Sequence, residues 1–79
     1  MFDTDELNQI VLGLQERKLT LRDIVTTFEG FAREIESGKT LFPFLPGEPG
    51  ARAARGVAAE HQHQIDMIEK MIKRITVTA

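Results

Sequence analysis

The chain has 79 residues, no cysteine, a formal net charge of −2 and a sequence pI near 5.6. These totals allow one small domain, exclude disulfide reinforcement, and argue against a partner held mainly through phosphate charge, so no nucleic acid is expected. No apolar run reaches the length of a membrane span, and the acidic start Met1-Phe2-Asp3-Thr4-Asp5 is unlike a targeting sequence; a cytoplasmic protein without membrane contact is predicted.

Thr4 is read as the N-cap of a first helix, with Asp5 and Glu6 supplying negative charge to its first turn. From there Leu7, Ile10, Leu14, Leu21, Ile24, Phe28, Phe31 and Ile35 recur with helical spacing, and Val11, Val25 and Ala32 widen the stripe. The heptad phase holds throughout, which favours one long helix over residues 4–37. A second reading stays open: Thr20 followed by Asp23 resembles a capping box, which would break the helix at Lys18-Leu19-Thr20. Ser37-Gly38 ends the helix, with Gly38 at the position after the cap.

Residues 38–50 read as a loop because of their three prolines and their glycines. Pro46-Gly47 suits a type II turn. The loop carries Leu41, Phe42, Phe44 and Leu45, four large apolar side chains within five residues. Two explanations compete. Phe42 and Phe44 fold back as a plug over a thin helix end, or the segment, stiffened by Pro43 and Pro46, inserts into a partner's groove.

The last helix is predicted over residues 51–76. Ala51, Ala54, Ala58, His61, Ile65, Ile68, Ile72 and Ile75 form a 3-4-3-4 ladder graded from small to large. Thr76-Val77-Thr78-Ala79 has no cap and reads as a frayed tail. If the helices pair antiparallel, opposite residues should sum to about 86–88. Phe28 and Phe31 then lie against Ala54 and Ala58, Ile35 against Ala51, and Leu21 against Ile65, so large meets small along the seam. Glu34 and Glu36 fall opposite Arg52 and Arg55, Arg22 opposite Asp66, and Lys18 opposite Glu69. The fold class is therefore all-α: residues 1–79 form a single antiparallel helical-hairpin domain. So small a hairpin should self-associate, as a homodimer or higher oligomer, into a four-helix or larger bundle. A second stripe of Val57, Gln64, Met67 and Met71, beside the small residues Ala53, Gly56, Ala59 and Gly30, is the predicted interface.

His61 lies on the seam and reads as a structural polar residue that sets register. Glu60 and His63, three apart, share a face, and Glu29 falls near the height of Glu60. Two hairpins would thus supply two Glu and two Glu-x-x-His units, the set that ferritin-like di-iron proteins project into a bundle. In Glu29, Glu60, His63 and the hairpin layout the chain resembles the two-helix encapsulated ferritins, which implies iron bound across a dimer interface. With no Cys or Tyr, and only one Ser, no nucleophilic triad is expected.

Three functions are expected in order. The first is a non-enzymatic interaction module such as an adaptor, an assembly or secretion chaperone, or a phage-type accessory factor. It would act on another protein through Leu41, Phe42, Phe44, Leu45, Val57, Met67 and Met71 and need no cofactor. In size and layout the chain is similar to the small helical-hairpin chaperones of type III secretion. The second is a di-iron oxidase or iron-handling protein using Glu29, Glu60 and His63. The third is a helical oligomer with a small ligand held between subunits.

Overall fold

The computed structural model describes residues 2–78. Helix α1 spans Thr4–Glu36 and helix α2 spans Glu48–Thr78. They pack side by side, antiparallel, as a rod 53 Å long and 15 × 14 Å across.

The ends of α1 follow from local hydrogen bonding. Asp3, not Thr4, is the N-cap: its carboxylate accepts from the Glu6 N–H at 2.8 Å, and the Glu6 carboxylate accepts from the Asp3 N–H at 3.5 Å. The aspartate wins because it can share a reciprocal capping box with the glutamate three residues on. No break occurs at Thr20. Its hydroxyl donates to the Glu16 carbonyl of the preceding turn at 3.3 Å instead of capping a new helix. At the far end Gly38 takes φ 102°, its N–H donates to the Ile35 carbonyl, and the Lys39 N–H donates to the Glu34 carbonyl. Those two bonds are the Schellman closure that a glycine after the cap permits.

α2 begins at Glu48, three residues before the expected Ala51. Pro49 is tolerated because the first N–H groups of a helix have no partner inside it. Gly47, at φ 77°, turns the chain into the helix, and its carbonyl receives the Ala51 N–H at 3.1 Å. Glu48 puts negative charge in the first turn and accepts from Arg52 at 2.9 Å. α2 continues through Thr78, so Thr76 and Val77 are helical where a frayed tail was expected; Ala79 lies outside the described residues.

Two apolar clusters hold the helices together. Leu21, Val25, Ala58, Ile65 and Ile68 form one, with Leu14, Phe28 and Ile72 packed against it. Ala32, Ile35, Ala51 and Ala54 form the other, nearer the loop, under Phe28, Phe31, Leu41 and Phe44. Phe28 spans both, and the alanine half of α2 sits where the rings are, which is the large-to-small matching that the ladder predicts. His61 is half-buried on the seam, and its Nδ1 donates to the Val57 carbonyl at 2.7 Å, within its own helix.

The surface charges shift from their expected partners while keeping the antiparallel register. Arg55 pairs with Glu36 as the register predicts. Arg22 reaches Glu69 at 3.7 Å in place of Asp66, which instead accepts from Gln62 at 3.1 Å. Arg52 turns to Glu48 on its own helix, four residues back, a shorter reach than crossing to α1.

Candidate interaction surface

A two-helix rod has two long flanks beside its seam, and here they differ in chemistry. On one flank Arg22 and Glu36 lie two heptads apart on α1, and Glu69 and Arg55 do the same on α2. They close this side with the Arg22–Glu69 and Glu36–Arg55 ion pairs. The hydrogen bond from Arg55 holds the Glu36 carboxyl below its ordinary range, and the same bond, with the Glu36 charge, raises Arg55.

The other flank follows the same heptads with apolar residues. Ile10, Ile24 and Phe31 occupy it on α1, with Arg17 completing the series; Val57, Gln64 and Met71 occupy it on α2. Between the helices runs an open groove of about 490 Å³ lined by Leu14, Arg17, Gln64, Met67, Ile68 and Met71. Met67 is 50 % exposed and Met71 43 %, while Val57 and Gln64 are half-buried at the rim. The stripe expected on α2 is thus only half of the surface. Ile10 and Ile24, counted with the seam in the sequence, share this flank by heptad phase, while Phe31 at its edge packs on the alanine cluster as the seam register expects.

The loop divides the four residues expected to act together. Leu41 and Phe44 turn inward onto the alanine cluster. Phe44 meets Phe28 edge-on at 6.0 Å between centroids and Phe31 at 6.3 Å, and Phe28 and Phe31 meet edge-on at 5.4 Å, so the three rings form a mutually contacting triangle. Phe42 and Leu45 point outward, 97 % and 66 % exposed. The Phe44 N–H donates to the Leu41 carbonyl at 2.8 Å across a turn whose Phe42–Pro43 peptide is cis. Buried and exposed apolar side chains are therefore interleaved along the loop. A pocket of about 260 Å³ lies between them, walled by Phe28, Phe31, Leu41, Phe42, Pro43 and Phe44. Gly50 makes this packing accessible: it is buried, and a Cβ there would run into the Leu45 carbonyl oxygen.

Glu29, Glu60 and His63 are all exposed. Among the described residues no group of three or more His, Asp or Glu side chains within one chain is placed to hold a metal ion. Glu29 lies within the electrostatic reach of the Arg55 guanidinium, a cation where a metal ligand would prefer none. No helix among the described residues is long and apolar enough to cross a membrane.

Compared with protein-family models, curated proteins and solved structures, the chain finds no match in any of the three, so its function has to be argued from this geometry alone.

Proposed function

We propose that this chain is a small non-enzymatic interaction module, of the adaptor, assembly-chaperone or accessory-factor kind, that works as a homo-oligomeric helical bundle. The observation that carries it is the asymmetry of the two flanks: one is closed by paired charges, while the other leaves an apolar groove bordered by two methionines in water. A rod with a two-helix core buries a small share of its surface, and covering that groove with a second hairpin extends the core at little polar cost. Methionine suits such a contact because its unbranched, polarisable chain adapts to the surface it meets. Phe42 and Leu45, outside the groove, remain for a different protein to recognise, held in place by the buried Leu41 and Phe44 beside them.

Light scattering on the eluting protein tests this reading. The expected mass at micromolar concentration is a multiple of 8.9 kDa. The double substitution Met67→Lys, Met71→Lys should reduce it to a single chain while the far-ultraviolet helix signal persists. A wild-type chain that elutes as a monomer, or a double variant of unchanged mass, refutes the proposal. No feature of the described residues favours the iron-handling or ligand-carrying alternatives over this one.

A further inference from the structure

Four of the chain's five phenylalanines gather at the loop end. Phe28, Phe31 and Phe44 touch one another and rest on the alanine cluster. Phe42 takes no part in that triangle. It is 97 % exposed, yet with Pro43 it walls the pocket of about 260 Å³ that the triangle leaves open. A ring in this position adds nothing to the core of its own chain. The contacts it lacks can come only from a group that enters the pocket.

The walls decide what that group is. An apolar cavity of about 150 Å³ holds benzene and stays free of water, so this larger one accepts an aromatic ring with a short stem. None of its six lining side chains ionises or forms hydrogen bonds, and a polar group inside would lose its water without replacement. The charges nearest the loop are matched within the chain: Glu34 with Lys39, Glu36 with Arg55 and Glu48 with Arg52. Arg33, two residues beyond Phe31, lies on the opposite side of α1 by helical phase. The site is therefore complementary to an uncharged ring. It is also preformed, because the Leu45 backbone rests against Gly50 and the Phe44 N–H donates to the Leu41 carbonyl, so little ordering opposes binding. Filling the pocket with one ring leaves Leu45, 66 % exposed, and the outer face of Phe42 in water. A polypeptide that carries the ring can cover them as well.

About 20 Å of helical rise separate Leu14, in the methionine-bordered groove, from Phe28 in this pocket, so a second hairpin can sit on the groove and leave the pocket open. Resting on the reading that a different protein recognises the loop, we infer that the loop-end pocket receives one uncharged aromatic side chain of that protein, with Phe42 as its outer wall.

Capped amino acids probe the pocket directly. N-acetyl-phenylalaninamide, titrated into the full chain, should shift the nuclear magnetic resonance signals of Phe28, Phe31, Leu41 and Phe44 saturably, with a Kd on the order of millimolar. N-acetyl-lysinamide should shift none of them. Phe42→Ser removes the outer wall without touching the aromatic triangle, and should weaken the phenylalanine amide about fivefold while the helix signal is unchanged. Shifts that are absent, or that fall on Met67 and Met71 instead, overturn the inference. Equal binding of the lysine amide overturns the selectivity for an uncharged ring, and a Phe42→Ser chain that binds as tightly as the wild type overturns the wall. Toluene shifting the pocket signals where the phenylalanine amide does not would overturn the polypeptide occupant in favour of a free small molecule. Light scattering on the same sample keeps the two proposals apart. An oligomeric mass without pocket shifts removes this inference alone, whereas saturable shifts on a single chain uphold the pocket and remove self-association.

Discussion

Gly50→Ala is the sharpest test of how the loop sits on the bundle, because helix propensity and packing predict opposite signs. Gly50 is the third residue of α2, and alanine in place of glycine in a helix is worth up to about 1 kcal/mol of stabilisation. The structure reverses that expectation. A methyl group at Gly50 would collide with the Leu45 carbonyl oxygen and stand 2.8 Å from its carbon and 3.2 Å from the Leu45 nitrogen. All three are backbone atoms, so no side chain can rotate away and the 41–45 segment itself must lift. Overpacking of this kind costs about 1–3 kcal/mol. Lifting the segment also withdraws Phe44 from Phe28 and Phe31; for a half-buried phenylalanine that adds about 1 kcal/mol. After the propensity gain the net loss is about 1–3 kcal/mol, which lowers the melting temperature of a domain this size by about 5–20 °C. Thermal melts followed by circular dichroism, at matched concentration because association would shift Tm, measure it. Gly13→Ala is the control: its methyl would meet nothing, so a rise of several degrees is expected. A Gly50→Ala protein that melts at or above the wild type would refute the account of the loop.

Other expectations follow from the same packing. Phe44→Ala should lower stability by about 2–3 kcal/mol, whereas Phe42→Ser should leave the melt unchanged, since one ring is in the aromatic triangle and the other is in water. Ala54→Leu puts an isobutyl group where the alanine is fully buried, and should cost about 1–3 kcal/mol in chemical denaturation. The Glu36 carboxyl titrates below its ordinary value in the folded chain because Arg55 donates to it; its contribution is therefore complete above the unfolded value near 4.5 and is lost as pH falls through the lower folded value. Glu36→Gln should accordingly flatten the acid limb of a stability-against-pH curve, and an unaltered limb would contradict the pairing.

The seam was legible because its information is redundant: the ladder from Ala51 to Ile75 and the stripe from Leu7 to Ile35 each specify a helix, and their volumes match in the antiparallel register. The ends were less legible. Asp3 and Thr4 are both competent caps, and only the geometry of Glu6 decides between them. The proline count of the loop hid the first turn of α2, since a proline's missing N–H matters inside a helix and not at its start. The flank was half-legible: Met67 and Met71 stood out as apolar residues off the seam, while Ile24, which shares the flank by heptad phase, was counted with the seam. The loop was the least legible part. Nothing in Leu-Phe-Pro-Phe-Leu says that Leu41 and Phe44 point in while Phe42 and Leu45 point out; that depends on the turn from Leu41 to Phe44 and on the space left by Gly50.

The core is unevenly placed along the rod. Among the described side chains Leu21 is the first of α1 to be buried and Ile68 the last of α2, while Leu7, Ile10, Leu14, Ile72 and Ile75 are only half-covered. The molecule is thus built like a pair of tongs, clamped at the loop and loosely closed at the tips. Amide hydrogens between Leu7 and Leu14, and from Ile72 to Thr76, should exchange through local opening of the tips, and those between Leu21 and Ile35 only when the whole hairpin unfolds. A nick in the loop would separate two helices at their tightest contact. A fusion at the tips would load the part of the structure that already opens and recloses by itself.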